Sequence, residues 1–146
     1  MKTVGSGSEC TVFRTEKGIL KCYESKSEAK MACTIQRNLA HYDLAPYVLE
    51  GARRRKIDGV YLWGYYSEEA EPLPICDCED LDCYCYMETQ EARDFVCEMV
   101  EYWCGLEFTD AHQGNFGFIN RLGSKTLAVI DCGHKGFCST REEASL

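Results

Sequence analysis

The chain has 146 residues, of which 45% are hydrophobic and 27% are charged, a balance that excludes wholesale disorder. Its formal net charge is -8, and proteins that bind nucleic acid usually carry a basic excess instead, so we expect no nucleic-acid partner. No apolar run approaches the roughly 20 residues that span a bilayer, and the first residues lack the apolar core of a signal peptide. We therefore expect a cytoplasmic protein with no membrane partner.

The first part of the chain predicts an antiparallel sheet. Gly5-Ser6-Gly7 precedes an apolar segment. Such a turn can place backbone N–H groups against phosphates, although a plain Gly-Ser hairpin has the same composition. A first strand is expected at this glycine-rich segment, and the second and third at 11–15 and 19–23. Lys21 falls in the middle of the latter, where its simplest interpretation is an exposed lysine on an edge strand.

A helix is predicted to follow, because Ser25 and Glu28 have the S-x-x-E spacing of a capping box. Large apolar residues then recur at a helical spacing and predict its buried face: Met31, Ile35 and Leu39. Glu28 is therefore explained as a cap, and its alternative role is a partner for Lys21.

Further strands are predicted at 47–50 and 60–66, which gives five short strands and one helix in residues 1–66. Between these two strands lies the basic run 53–56. We interpret it as the solvated tip of a hairpin rather than a nucleic-acid patch. Residues 67–88 are rich in acidic residues, proline and cysteine, and this composition predicts a hinge or linker.

The 11 cysteines are unusual for a reducing compartment, where we expect thiols. Some have apolar neighbours and are predicted to pack as small hydrophobic residues: Cys22, Cys33, Cys97 and Cys104. Two C-x-C pairs offer four thiolates to zinc: Cys76, Cys78, Cys83 and Cys85. Structural zinc sites more often use C-x-x-C pairs, so reduced, partly buried thiols are the alternative.

An amphipathic helix is predicted next, with Thr89 as its N-cap and Gly105 at its end. Its apolar residues recur at helical spacing: Ala92, Phe95, Val96, Met99, Val100 and Trp103. A hairpin with strands at 116–119 and 126–130 then returns Asn115 and Asp131 to the same side. The polar residues after Gly133 are expected to be loose.

The order of these parts resembles the protein-kinase-like fold: a glycine-rich turn, a mid-strand lysine, a helix with a glutamate, an acidic hinge, an amphipathic helix, Asp-x-x-x-x-Asn, and Asp-x-Gly. Asp110-Ala-His-Gln-Gly-Asn115 is similar to the D-x-H-x-G-N loop of small-molecule and atypical kinases, such as the aminoglycoside phosphotransferase-like and RIO-like groups. The resemblance implies a two-lobed α+β fold. Residues 1–66 would form an N-lobe with a five-stranded antiparallel sheet and one helix, 67–88 the hinge, and 89–146 a strongly reduced C-lobe.

The resemblance also implies a site for ATP and Mg²⁺. Gly5, Ser6 and Gly7 correspond to the glycine-rich loop, with Cys10 in place of its third glycine. Lys21 corresponds to the lysine that meets the phosphates, and Glu28 to the glutamate that orients it. Asp110 matches the catalytic aspartate, while Asn115 and Asp131 match the magnesium ligands, with Cys132 replacing a phenylalanine.

The implied function is an ATP-dependent phosphotransferase that moves the γ-phosphate to a hydroxyl acceptor on a protein or small molecule. Two features depart from the pattern. Phe108-Thr109 replaces the usual His-Arg or His-Gly, and little chain follows Gly133 to present a substrate. We therefore expect a homodimer or a partner protein to cover the reduced C-lobe. The alternatives are a pseudokinase that regulates by binding a protein, and a thiol-rich zinc-binding protein.

Overall fold

The computed structural model describes residues 2–6, 10–73, 84–111 and 113–140, and only the backbone for 2–6, 84–89 and 113. Within these residues the fold is mixed α+β, with two α-helices and open antiparallel sheets. The first sheet has a body of four strands, in the spatial order β2-β3-β5-β4. These strands are β2 (Cys10–Thr15), β3 (Gly18–Tyr23), β4 (Val48–Ile57) and β5 (Val60–Ser67).

The sequence predicted a sheet of five short strands, whereas the remaining segment, β1 (Lys2–Ser6), only extends the four-stranded body at its edge. β1 pairs antiparallel with β2, and the register shifts between Thr3 and Gly5. A bulge at a glycine near the sheet edge interrupts regular pairing. β3, which carries Lys21, therefore lies inside the sheet between β2 and β5 rather than at its edge.

The helix α1 (Lys26–His41) begins where the capping box predicted. Ser25 is the N-cap, and its Oγ accepts the backbone N–H of Glu28 at 3.4 Å. Met31, predicted on the buried face, is 43% exposed. The buried stripe instead starts at Ala29, and its small residues let the helix approach the sheet: Ala29, Ala32, Cys33, Gln36, Leu39 and Ala40.

The basic run 53–56 is not the tip of the hairpin, as the sequence predicted, but part of β4. The turn is formed by Asp58 and Gly59, whose φ angles are 48° and 84°. These left-handed angles suit a two-residue hairpin turn, and Asp-Gly is a preferred pair for it. The Arg54 guanidinium lies 3.9 Å from the ring centroid of Tyr61, well inside the roughly 6 Å at which a cation and an aromatic ring attract each other. Positive charge on an edge strand also discourages pairing with another chain.

The helix α2 (Tyr84–Cys104) begins before Thr89, so the predicted cap at Thr89 is wrong and that residue lies inside the helix. Gly105, with φ of 66°, ends the helix as predicted. Phe95 and Trp103 were predicted to be buried, but they are 59% and 47% exposed. α2 packs against the protein through Val96 and Val100, and its aromatic face stays uncovered.

A second sheet has the order β6-β8-β9. Its strands are β6 (Glu71–Pro72), β8 (Phe116–Arg121) and β9 (Ser124–Val129). A separate pair joins β7 (Leu106–Phe108) to β10 (Phe137–Ser139). The stretch after Gly133 was expected to be loose, but Phe137 is buried and stacks on Phe108 with ring centroids 4.7 Å apart. The aromatic contact of Phe137 and the pairing of β10 with β7 therefore hold residues 137–139 in place.

The largest hydrophobic cluster connects α1 to the second half of the chain. Leu39 and Ala40 from α1, with Leu44 and Ala45 after it, pack with residues from α2, β7, β8 and β9. Neither helix in the described part of the chain has the length and apolar character needed to cross a membrane.

Seven cysteines are described, and each is a thiol rather than half of a disulfide. Cys22 and Cys33 are buried, and Cys97 and Cys104 are half-buried, as their apolar neighbours predicted. The four cysteines proposed for zinc lie outside the described side chains: Cys76, Cys78, Cys83 and Cys85.

Candidate functional site

A cleft of about 570 Å³ lies between the first sheet and the second. The first sheet contributes Val12, Ile19 and Lys21 to its wall, and the second side contributes Asn115 and Asp131. The chain that connects the two sides closes one end of the cleft: Ser67, Glu68, Glu69 and Ala70. Three of the residues that the sequence singled out for phosphoryl transfer, Lys21, Asn115 and Asp131, therefore face one space, whereas Glu28 and Asp110 are not part of its wall.

Lys21 is 8% exposed and reaches across the cleft. Its Nζ donates to Oε1 of Gln36 at 3.0 Å and to the backbone oxygen of Ile130 at 2.7 Å. The edge-strand interpretation of Lys21 is therefore wrong, because β3 is an internal strand and the side chain is enclosed. Both oxygens that accept from Lys21 Nζ are neutral, so neither competes as a counter-ion with a phosphate.

The structure places Gln36, rather than Glu28, against Lys21. Glu28 lies in the first turn of α1, where its backbone N–H is capped by Ser25. An α-helix rises about 1.5 Å per residue, so Glu28 lies roughly 12 Å along the axis from Gln36. The structure thus shows the Ser25 half of the predicted capping box. It shows no hydrogen bond between Glu28 and Lys21, whose partner from α1 is Gln36.

Sequence reasoning missed Gln36, although a signal was present. Gln36 follows Ala29 and Cys33 on the buried stripe of α1, where a polar side chain needs a partner. Its Nε2 donates to the Pro46 oxygen at 2.9 Å and to Ser67 Oγ at 2.7 Å. Glu28 was predicted beside Lys21 because it is a glutamate. Gln36 is the polar residue whose position on α1 faces the sheet.

Tyr65 completes the surroundings of Gln36. Its hydroxyl donates to Gln36 Oε1 at 2.8 Å, and the residue is fully buried. Burial raises the pKa of Tyr65 well above its usual value, so the hydroxyl stays protonated and remains a donor.

Two hydrogen bonds join Asp110 and Asn115 within the loop. Asn115 Nδ2 donates to the backbone oxygen of Asp110 at 2.7 Å and to its Oδ2 at 3.0 Å. The loop is also attached to the end of the chain, since the Thr109 N–H donates to the Gly136 oxygen at 2.8 Å. Asn115 is buried while Asp110 is exposed, so the aspartate faces solvent from a supported loop.

The hairpin returns Asp131 to Asn115, as the sequence predicted. Phe116 pairs with Val129, and the Ile130 N–H donates to the Asn115 oxygen at 2.9 Å. Asp131 Oδ1 accepts the Gly133 N–H at 3.1 Å, which orients the carboxylate at the cleft. An amide oxygen from Asn115 and a carboxylate oxygen from Asp131 fit the oxygen preference of Mg²⁺.

Cys132 is a buried thiol directly after Asp131. Burial raises the pKa of Cys132 to about 12, although the nearby Lys21 ammonium opposes this shift. Burial likewise raises the pKa of Cys10 in the wall of the cleft. Both side chains stay protonated at neutral pH, which makes them packing residues rather than nucleophiles.

Other predicted groups fall partly or wholly outside what the structure describes. Gly5 and Ser6 lie in β1, where only the backbone is described, and Gly7 and His112 are outside the described residues. Among the side chains that are described, no group of three or more His, Cys, Asp and Glu residues could hold a metal ion. The zinc prediction therefore stays a prediction.

No protein-family model matches the chain, and no curated protein is significantly similar to it.

Proposed function

We propose that the protein is an ATP-dependent phosphotransferase with a minimal protein-kinase-like, two-lobed fold. The observation that carries the proposal is the meeting of Lys21, Asn115 and Asp131 in one cleft. These residues lie far apart in the sequence and come from both sides of the cleft. A cation and two oxygen ligands in one cleft are the groups that phosphoryl transfer requires.

Each residue has a role that its surroundings support. Lys21 binds phosphate oxygens and compensates their negative charge, while the segment 67–70 borders the other end of the nucleotide. Asn115 and Asp131 would hold the magnesium ion, which bridges phosphate oxygens when bound. Asp110 orients the acceptor hydroxyl and accepts its proton, because it is exposed at the surface and fixed by Asn115.

The experiment is magnesium-dependent transfer of labelled γ-phosphate from ATP to water or a panel of hydroxyl acceptors. Asp110→Asn should lower the turnover rate at least about 100-fold and leave ATP binding nearly unchanged, since a positioned base contributes about 10²–10⁴-fold. Asp131→Asn should weaken binding of ATP with magnesium. Asp94→Asn, an exposed site on α2, is the control. Labelled product that persists undiminished in Asp110→Asn would contradict the assignment.

A second candidate is a pseudokinase or nucleotide-binding regulator that acts by binding a protein. The exposed aromatic residues of α2 favour it: Phe95, Tyr102 and Trp103. A groove of about 720 Å³ runs beside them, and exposed apolar patches of this kind often mark protein interfaces. ATP binding without labelled product, together with a homodimer or partner complex, would favour the regulator over the enzyme.

A further inference from the structure

We infer that Gln36 is the positioning residue for Lys21 and that it connects this lysine to the segment that closes the cleft. The inference deepens the proposed function, on which its consequence for nucleotide binding rests. The arrangement of Lys21 in the ligand-free protein can be tested separately.

Gln36 restricts a side chain that is otherwise flexible. Lys21 has a long stem, and its Nζ is held by Gln36 Oε1 at 3.0 Å and by the Ile130 oxygen at 2.7 Å. The Ile130 oxygen belongs to the far side of the cleft, whereas Gln36 belongs to the helix packed on the sheet. Gln36 therefore fixes Lys21 from its own side of the cleft.

The orientation of the Gln36 amide follows from its neighbours. Its Nε2 lies against two acceptors, the Pro46 oxygen and Ser67 Oγ. Its Oε1 lies against two donors, the Lys21 ammonium and the Tyr65 hydroxyl. Rotating the amide by 180° would set donors against the ammonium and an oxygen against the Pro46 carbonyl, so only one orientation satisfies all four contacts.

The same contacts extend to the connecting segment. Ser67 is fully buried, accepts from Gln36 and donates to the Glu68 oxygen at 3.0 Å. A chain of hydrogen bonds thus runs from Lys21 through Gln36 to Ser67 and Glu68. Both ends of this chain line the cleft. A change at Ser67 is therefore expected to reach Lys21, although Gln36 stands between the two residues.

The first experiment measures the reactivity of Lys21 toward an amine-acylating reagent by peptide mapping, with no nucleotide present. Gln36→Met, which is close in size but has no polar atom, should increase labelling of Lys21 about tenfold. Gln36→Glu keeps an oxygen that can accept from Lys21. Lys21 in this variant should therefore be labelled nearly as slowly as in the wild type. The exposed Lys125 serves as the internal reference.

Ser67→Ala provides a variant that spares Gln36 itself. It removes an acceptor of the amide and no atom in contact with Lys21, so labelling of Lys21 should rise severalfold. An unchanged labelling rate in Gln36→Met, or in Ser67→Ala if the former does not fold, would overturn the inference.

The second experiment compares the affinities of ATP with magnesium and of adenosine within each variant, so that a general loss of stability cancels. Losing a hydrogen bond to a charged group costs about 1.5–3 kcal/mol, and 1.4 kcal/mol corresponds to tenfold. Gln36→Met should therefore lower the ratio of ATP to adenosine affinity at least about tenfold, and Gln36→Glu should restore most of it. Equal ratios in the wild type and Gln36→Met would contradict the positioning role, as would equal losses in the two variants.

The two proposals fail in different ways. If the wild type binds neither ATP nor adenosine, the proposed function falls, and the labelling experiment still decides whether Gln36 positions Lys21. If ATP binds and its affinity does not depend on Gln36, the proposed function stands and the inference falls.

Discussion

Glu68 and Arg121 show how single side chains fix the connection between the two sides of the cleft. Arg121 Nη1 and Nη2 donate to the two carboxylate oxygens of Glu68 at 3.0 and 2.7 Å. The guanidinium also lies 3.8 Å from the ring centroid of Tyr47. A bidentate pair with a stacked guanidinium is better defined than an ordinary surface ion pair. Glu68 thereby attaches the segment 67–70 to β8.

This pair predicts a pH dependence of stability. Burial raises the pKa of Glu68, but hydrogen bonds from Arg121 and from the Tyr47 N–H outweigh it, so the pKa is lowered from 4.5. A lowered pKa in the folded state means that the pair stabilises the protein above about pH 4.5. Its contribution is lost as the pH falls through the folded-state value.

Glu68→Gln should remove that part of the pH dependence in denaturant titrations between about pH 6 and pH 3. The expected loss at neutral pH is about 1 kcal/mol at most, because the pair is partly exposed. The matched control is Glu69→Gln, whose partner Arg14 is more exposed and should contribute less. Identical pH profiles for the wild type and Glu68→Gln would show that the pair does not contribute.

The helices and hairpins differ in how far local sequence determines them. The start of α1, the end of α2 at Gly105 and the hairpin that joins Asn115 to Asp131 were predictable, because caps, glycines and alternating strands act locally. Lys21, Asn115 and Asp131 were singled out through the resemblance to the protein-kinase-like fold, and all three line the cleft.

Features that depend on packing could not be read from the sequence. Phe95 and Val96 fit the same helical pattern, yet only Val96 is buried. The pattern predicts an apolar face on α2 but not how much of that face packs against the rest of the protein. The run 53–56 looked like a turn by its charge, although the turn chemistry lies in Asp58 and Gly59. Gln36 was missed because its partners, Lys21 and Pro46, come from other elements.

The two sides of the cleft are connected through their core as well as through the segment 67–70. The main cluster includes Leu39 from α1 and Val100 from α2, and the Val129 N–H donates to the Leu44 oxygen at 2.9 Å. A shared core of this kind makes unfolding of either side costly for the other. We therefore expect the described part of the chain to unfold as one cooperative unit.

The two tryptophans allow that expectation to be measured, because Trp63 lies in β5 and Trp103 lies in α2. In Trp103→Phe the fluorescence reports the first sheet, and in Trp63→Phe it reports α2. Within each variant, the fluorescence midpoint in urea should coincide with the midpoint from far-ultraviolet circular dichroism. A fluorescence transition clearly separated from the circular-dichroism transition would show that the two sides unfold independently.

The most direct test of the phosphotransferase proposal is a crystal structure of the protein with magnesium and a non-hydrolysable ATP analogue. We expect phosphate oxygens within about 3.2 Å of Lys21 Nζ, a magnesium ion bound by Asn115 and Asp131, and the base beside the segment 67–70. A nucleotide bound elsewhere, for example in the groove beside α2, would contradict it. So would a cleft that stays empty at saturating analogue while Lys21 keeps its bonds to Gln36 and Ile130.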